Sequence, residues 1–292
     1  MRICPACSAS YPGEVRVCPT CGASFSSAGP YVDLTVDSIS REGPRFAGKA
    51  AHMLVAVEES HFWFGQRALL VANTVATCFP EARTLLDVGC GGGCVLAAIS
   101  RRFPQLTVAG GDIDVDALLR ARDRLPDARL YRMTAERIPF ESEFDVVCCL
   151  DVLEHVEDDV SALREMYRAV RPRGGLIVAV PQYPWLWSAH DERSEHVRRY
   201  TRTELQHKIE AVGWRTLYTT SFVTILFPLM VASRILMRRS MDPGTLRELN
   251  PPRGMNAPLQ AIMHVERLAI EAGLRMPFGG SRLLVARKGV TS

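Results

Sequence analysis

The 292-residue chain reads as an α/β protein with a parallel sheet, led by a small cysteine-stapled module. Three observations predict this. Thr84–Val88 is a short apolar run that breaks into Gly89-Cys90-Gly91-Gly92-Gly93-Cys94 and resumes as the apolar helix Val95–Ile99. Strand-like and helix-like segments then alternate, the pattern of a sheet with helices on its faces. Ahead of them, Cys4-Pro5-Ala6-Cys7 and Cys18-Pro19-Thr20-Cys21 form two Cys-x-x-Cys pairs separated by ten residues.

Composition narrows the class. The chain is 47% hydrophobic and 23% charged, with a net charge of +3. That is ordinary for a globular protein and weak support for a polyanionic partner. The length allows a full core plus an accessory module. The opening Met1-Arg2-Ile3-Cys4-Pro5 carries no apolar signal region, so export is not expected. Nine cysteines, an odd count, suit a reducing cytoplasm better than a disulfide framework.

In residues 1–25 each cysteine pair is a knuckle offering two thiolates. Cys4, Cys7, Cys18 and Cys21 together would close a tetrahedral site with no open position, the chemistry of structural zinc. So short a segment needs such a staple to fold. Its few basic residues, Arg2 and Arg16, give nucleic-acid binding little support; a protein partner or a purely stabilising role fits better. Residues 26–44, rich in Ser, Gly and Pro, read as a linker with at most one short ordered piece. Residues 45–80 are mostly helical by pattern. Their Phe62-Trp63-Phe64 cluster precedes Arg67: either the rings seat the helix on the core, or the helix is a lid from which Arg67 faces a ligand.

Leu106–Gly111 is a second strand, running into Asp112-Ile113-Asp114. A carboxylate about twenty residues beyond a glycine turn can accept from ribose hydroxyls. Asp114 suits the N-cap of a helix over Val115–Arg124. Ala128–Arg132 is a third strand, Glu143–Leu150 a fourth, and Glu157–Arg171 an amphipathic helix stopped by Pro172. Leu176–Val180 is a fifth strand, Trp214–Val223 a sixth and Ser281–Lys288 a seventh. Residues 224–280 therefore look like a helical insertion. It contains seven Arg against four acids and opens on an apolar run too short to span a bilayer. The run at 224–240 is either a cap on the core, an oligomer contact or a membrane-surface helix.

The segment Leu85–Gly93, with Asp87, Gly89, Gly91 and Gly93, resembles motif I of the class I S-adenosylmethionine (SAM)-dependent methyltransferases. Met133–Phe140 resembles that family's adenine-side stretch, although Thr134 stands where the family usually has Asp. Asp151-Val152-Leu153-Glu154-His155-Val156 resembles its signature after strand four. The resemblance implies a seven-stranded Rossmann-like sheet of order 3-2-1-4-5-7-6 with helices on both faces. It implies SAM binding through Arg67, Asp87, Gly89, Gly91, Gly93, Asp112, Ile113, Thr134, Ala135, Leu150 and His155.

In this fold the loop after strand five overhangs the methyl donor. Here that loop, Tyr183 to Tyr200, is dense in aromatic, basic and acidic residues. His190 beside Asp191 is the first candidate for a base, with His196 second and Asp191 as an alternative or orienting partner. Alternatively the charges form a salt-bridged lid within which the histidines merely hydrogen-bond. His190 and His196 lack metal-ligand spacing on one helical face. The segment also resembles methyltransferases of bacterial secondary and cell-envelope metabolism, implying a small-molecule or lipid-linked acceptor methylated at oxygen. The rival readings are a zinc-ribbon RNA methyltransferase, a non-catalytic SAM-binding adaptor and a dinucleotide oxidoreductase.

Overall fold

The computed structural model describes residues 2–12, 17–25, 29–35, 61–237 and 254–289. Parts of four regions read from the sequence lie outside these residues: 13–16 of the cysteine module, 26–28 and 36–44 of the linker, 45–60 of the pre-core segment and 238–253 of the insertion.

The first two strands, β1 (Arg2–Ile3) and β2 (Ser10–Tyr11), pair antiparallel in the cysteine module. The main sheet contains β3 (Val32–Asp33), β4 (Thr84–Val88), β5 (Thr107–Asp112), β6 (Arg129–Arg132), β7 (Phe144–Leu150), β8 (Val170–Pro181), β9 (Trp214–Phe222) and β10 (Ser281–Lys288). Their spatial order is β3-β6-β5-β4-β7-β8-β10-β9. All pairs up to β8 are parallel, and β10 runs antiparallel to both neighbours. Leaving β3 aside, this is the expected order 3-2-1-4-5-7-6.

Two details differ from expectation. The sheet gains an eighth, two-residue edge strand, β3, from within the segment read as linker. Two residues are too few for a hydrophobic period to register in sequence. Strand β8 also starts at Val170, because the preceding helix ends at Ala169 rather than Arg171. The positive-φ turn at Arg173 and the close packing of Gly175 on the Phe79 ring shape that entry.

Helices cover both faces. The sequence order gives α1 (Phe62–Cys78), α2 (Cys94–Arg102), α3 (Val115–Arg124), α4 (Asp159–Ala169), α5 (Ala189–Arg193), α6 (Arg202–Ala211), α7 (Phe227–Met237) and α8 (Asn256–Glu271). Successive residues of the central strands point to opposite faces. Leu85, Val146 and Ile177 join an apolar cluster with α1, α2, α3 and α8, whereas Leu86, Val147 and Val178 join another with α4 and α6. Burial on both sides explains why these strands read as continuous apolar runs. Each fully buried Leu here contributes about 1.5–3 kcal/mol relative to exposure.

Candidate active site

The carboxyl ends of β4 and β5 build the first half of the site. As the chain leaves β4, Gly89, Gly91 and Gly93 all have positive φ (74°, 53° and 77°). A Cβ on Gly89 would lie 2.2 Å from Val152 Cγ2, so both conformation and space demand glycine there. The Gly89 and Cys90 N–H groups donate to the Gly111 carbonyl at 2.7 and 3.0 Å, tying the turn to β5. Asp112 completes the tie: its carboxylate accepts from Gly91 N–H at 2.8 Å and Asp114 N–H at 2.9 Å. Asp114 in turn caps α3 by accepting from Asp116 N–H.

Asp87 lies beneath this turn, 2% exposed, with Oδ1 lacking a hydrogen-bond partner. Burial pushes its pKa up to about 7, opposed by Arg67 and reinforced by Asp112. Burial also raises Asp112. Arg67 reaches the same place from α1, where it forms an ion pair with Asp151 and lies over the Trp63 ring at 4.7 Å. Ile113 and Thr134 are half-buried, while Ala135 and Leu150 are buried. Met133 N–H donates to the Asp112 carbonyl at 3.1 Å, which brings the 133–135 strip beside the carboxylate. The orphaned oxygen of Asp87, the glycine cradle and the Asp112 carboxylate fit a nucleoside with a cationic centre.

The second half is assembled from the loops after β7 and β8. Asp151 turns the chain with a positive φ of 54°, and Leu153–His155 forms one 3₁₀ turn. The β8 loop is stitched onto it: Val197 N–H donates to the Glu154 carbonyl at 2.7 Å, and Tyr200 Oη to the Leu153 carbonyl at 3.1 Å. Asp191, fully buried, is the centre of that loop. It accepts from Ser188 N–H (2.8 Å), Ser188 Oγ (3.0 Å), His196 Nδ1 (2.9 Å) and both Nε and Nη2 of Arg199 (2.7 and 3.0 Å). Burial alone would raise this carboxyl, but the His196 and Arg199 bonds hold it well below the usual carboxylate range.

This geometry changes the ranking of the histidines. His190 is next to Asp191 in sequence, yet the Asp191 carboxylate binds His196. In α5 consecutive residues diverge around the helix axis, whereas the chain turn at Ser194–Glu195 returns His196 to the carboxylate. His190 has its ring centroid 6.1 Å from that of His196, and burial lowers its pKa to about 4. His155 packs edge-on against His196 at 4.7 Å, and burial likewise lowers it to about 4. Donor atoms of Glu154, His155 and His196 lie within 4.8 Å of one another. Glu154 is 1% exposed, its Oε2 has no hydrogen-bond partner, and burial pushes its pKa up to about 8. The triad did not stand out in sequence, because it joins residues from separate loops; the Arg199–Asp191 pair was among the charges read as a salt-bridged lid.

The four cysteines of the N-terminal module form a second cluster, all sulfurs within 4.8 Å. Cys4 and Cys21 sulfurs are 3.6 Å apart, and those of Cys7 and Cys18 3.7 Å. Sulfurs at about 2.3 Å from a tetrahedral ion lie about 3.8 Å apart, so the donor set fits one metal ion.

The strand order is that of a Rossmann-like methyltransferase fold. Residues 86–178 match the family model described as a methyltransferase domain. The ubiquinone biosynthesis O-methyltransferase of Pseudomonas paraeruginosa is 37% identical over 123 residues, which is 40% of this chain and 48% of that protein. The chain thus spans about half the length of the curated relatives it matches. Among solved structures, a methyltransferase of Bacillus halodurans aligns at 21% identity and TM-score 0.50, covering 76% of this chain and 99% of its own. A chain from the complex of the Haloferax volcanii Trm112 methyltransferase activator with a methyltransferase aligns at 18% identity and TM-score 0.54, covering 82% and 95%. These two likenesses concern the fold.

Proposed function

We propose that the protein methylates a hydroxyl oxygen on a small-molecule or lipid-linked acceptor, using SAM bound by the glycine turn, Asp87, Asp112, Ile113, Thr134, Ala135 and Leu150. Arg67, held by Asp151, would sit at the methionine end. SAM supplies an already activated methyl group, so the protein's part is alignment, exclusion of water and removal of the acceptor proton. His196 is the base in this reading. The observation that carries it is the buried Arg199–Asp191–His196 chain: Asp191 accepts from Nδ1, which fixes the tautomer and leaves Nε2 to accept a proton. His190 and His155 line the same place. The relatives named as O-methyltransferases support oxygen as the target.

The deciding experiment incubates the protein with methyl-labelled SAM and candidate hydroxylated acceptors, alongside His196→Asn. Labelled product from the wild type, lost in a variant that still binds S-adenosylhomocysteine, supports the reading. Unaltered turnover in the variant removes His196 as base.

A second reading is favoured by Glu154, His155 and His196 converging. They would hold a divalent cation, whose Lewis acidity would lower the acceptor hydroxyl's pKa. Magnesium- or manganese-dependent turnover after chelation, absent in Glu154→Gln, distinguishes it from simple base catalysis.

The cysteine module in this reading carries structural zinc. Ile225 and Leu229 around the start of α7 are exposed, as is Trp185 in the β8 loop, consistent with an apolar acceptor arriving from a lipid surface. Sedimentation with anionic vesicles, abolished in Leu229→Glu, tests that arrival route. No helix among the described residues is long and apolar enough to cross a membrane.

A further inference from the structure

The cysteine module packs against the strip from Tyr131 to Phe140. Ile3 N–H donates to the Pro139 carbonyl at 3.1 Å, and Arg2 bridges Phe140 in antiparallel register. The Arg2 guanidinium lies over the Tyr131 and Phe140 rings at 5.7 and 5.9 Å. Arg137 returns the grip, donating from Nη1 to the Pro5 carbonyl at 3.3 Å. Arg137 is itself bridged to Thr134, and its N–H donates to the Thr134 carbonyl at 3.3 Å. The module is therefore one tight turn away from Thr134 and Ala135.

A second line of contacts reaches the ribose side. Leu34 N–H donates to the Arg132 carbonyl at 2.9 Å, and Asp33 pairs with the Arg132 guanidinium at 3.2 Å. Arg132 Nε then donates to the Ile113 carbonyl at 3.3 Å. The N-terminal segment thus reaches both strips proposed to flank the nucleoside, 112–113 through Arg132 and 134–135 through Arg137. Beneath, Cys4, Tyr11, Cys18 and Phe25 are buried in one apolar cluster with Met133, Ala135, Ile138 and Phe140.

We infer that the cysteine module is a clamp on the adenosine end, so that metal occupancy at Cys4, Cys7, Cys18 and Cys21 sets the affinity for SAM. This rests on the SAM and zinc readings above. Among its described residues the module has two strands of two residues and one isolated bridge, Val17 to Ser24, too little to hold its shape without an ion. Metal loss would release Ile3 and Pro5 from fixed positions, and with them the turn from Thr134 to Phe140. Coupling of this kind is reciprocal: whatever factor zinc adds to nucleoside affinity, the nucleoside adds to zinc affinity.

The test titrates S-adenosylhomocysteine by calorimetry into the zinc-loaded full chain, the zinc-extracted reduced chain and the extracted chain with zinc restored. Affinity should fall about tenfold on extraction, within the usual range of coupling between sites, and return with zinc. In the reverse arm, saturating S-adenosylhomocysteine should raise zinc affinity by the same factor, read by competition with a chromogenic chelator. Arg2→Ala and Asp33→Ala, which keep all four cysteines, should weaken nucleoside binding a few-fold with zinc bound; they keep the inference testable if the extracted chain unfolds. Nucleoside affinity indifferent to zinc and unchanged in both variants overturns the clamp alone. Absence of binding to the zinc-loaded chain overturns the SAM reading and the clamp with it.

Discussion

The two halves of the site are built in different ways. At β4–β5 the work falls to backbone: three left-handed glycines, N–H groups tied to Gly111, and one carboxylate at a strand end. At β7–β8 it falls largely to side chains of the β8 loop, with Asp191 and Arg199 as a buried ionic post, and Tyr200 Oη and the Val197 N–H stitch that loop to the β7 loop. The first half rests on main-chain conformation at the glycines and tolerates little substitution. The second depends on side chains of one loop and on its stitches to the β7 loop, so damage there should separate stability, turnover and nucleoside binding.

The largest separation is expected from Asp191→Ala. It leaves Arg199 buried without its partner, and breaking a buried pair costs about 3–5 kcal/mol. Chemical denaturation should show that loss, while any folded fraction still binds S-adenosylhomocysteine. His196→Asn sharpens the contrast without disturbing the post: kcat should fall about 100-fold or more, the usual scale of a general base, with nucleoside affinity unchanged. Asp112→Ala makes the opposite cut. It removes the acceptor for Gly91 and Asp114 N–H groups, and charged hydrogen bonds of about 1.5–3 kcal/mol imply about a tenfold to hundredfold weaker nucleoside by calorimetry.

The smallest effect concerns Asp87 and has a pH signature. Its folded pKa, about 7, lies above the ordinary value of 3.8. The folded protein therefore holds a proton that the unfolded chain has released, and stability falls as pH rises between those values. Asp87→Asn should melt higher than wild type at pH 8, by about 1 kcal/mol after the cost of burying an amide, with the gap closing toward pH 4. A pH-independent difference would place the effect elsewhere.

Legibility followed the same division. The glycine turn, Asp112 and the Cys-x-x-Cys pairs were readable because each is a short-range requirement: positive φ, a strand end, a chelate bite. The β8 loop was readable only as a concentration of chemistry. Its sequence put His190 beside Asp191, but the carboxylate binds His196, since neighbours in a helix point apart. Glu154 was visible within a quoted signature, yet its convergence with His196 required two loops to meet.

Sequence by itself located the seven main strands and the residues of the glycine turn, because apolar runs and glycines act over a few residues; the strand order was what the resemblance to the methyltransferase family implied. Tertiary structure alone decided which histidine meets Asp191, that β3 closes the sheet edge, and that the cysteine module grips the strip beside Thr134. The β3 and cysteine-module contacts join segments about a hundred residues apart or more, and the Asp191–His196 pair, five residues apart, depends on how the β8 loop turns, which the order of residues does not spell out.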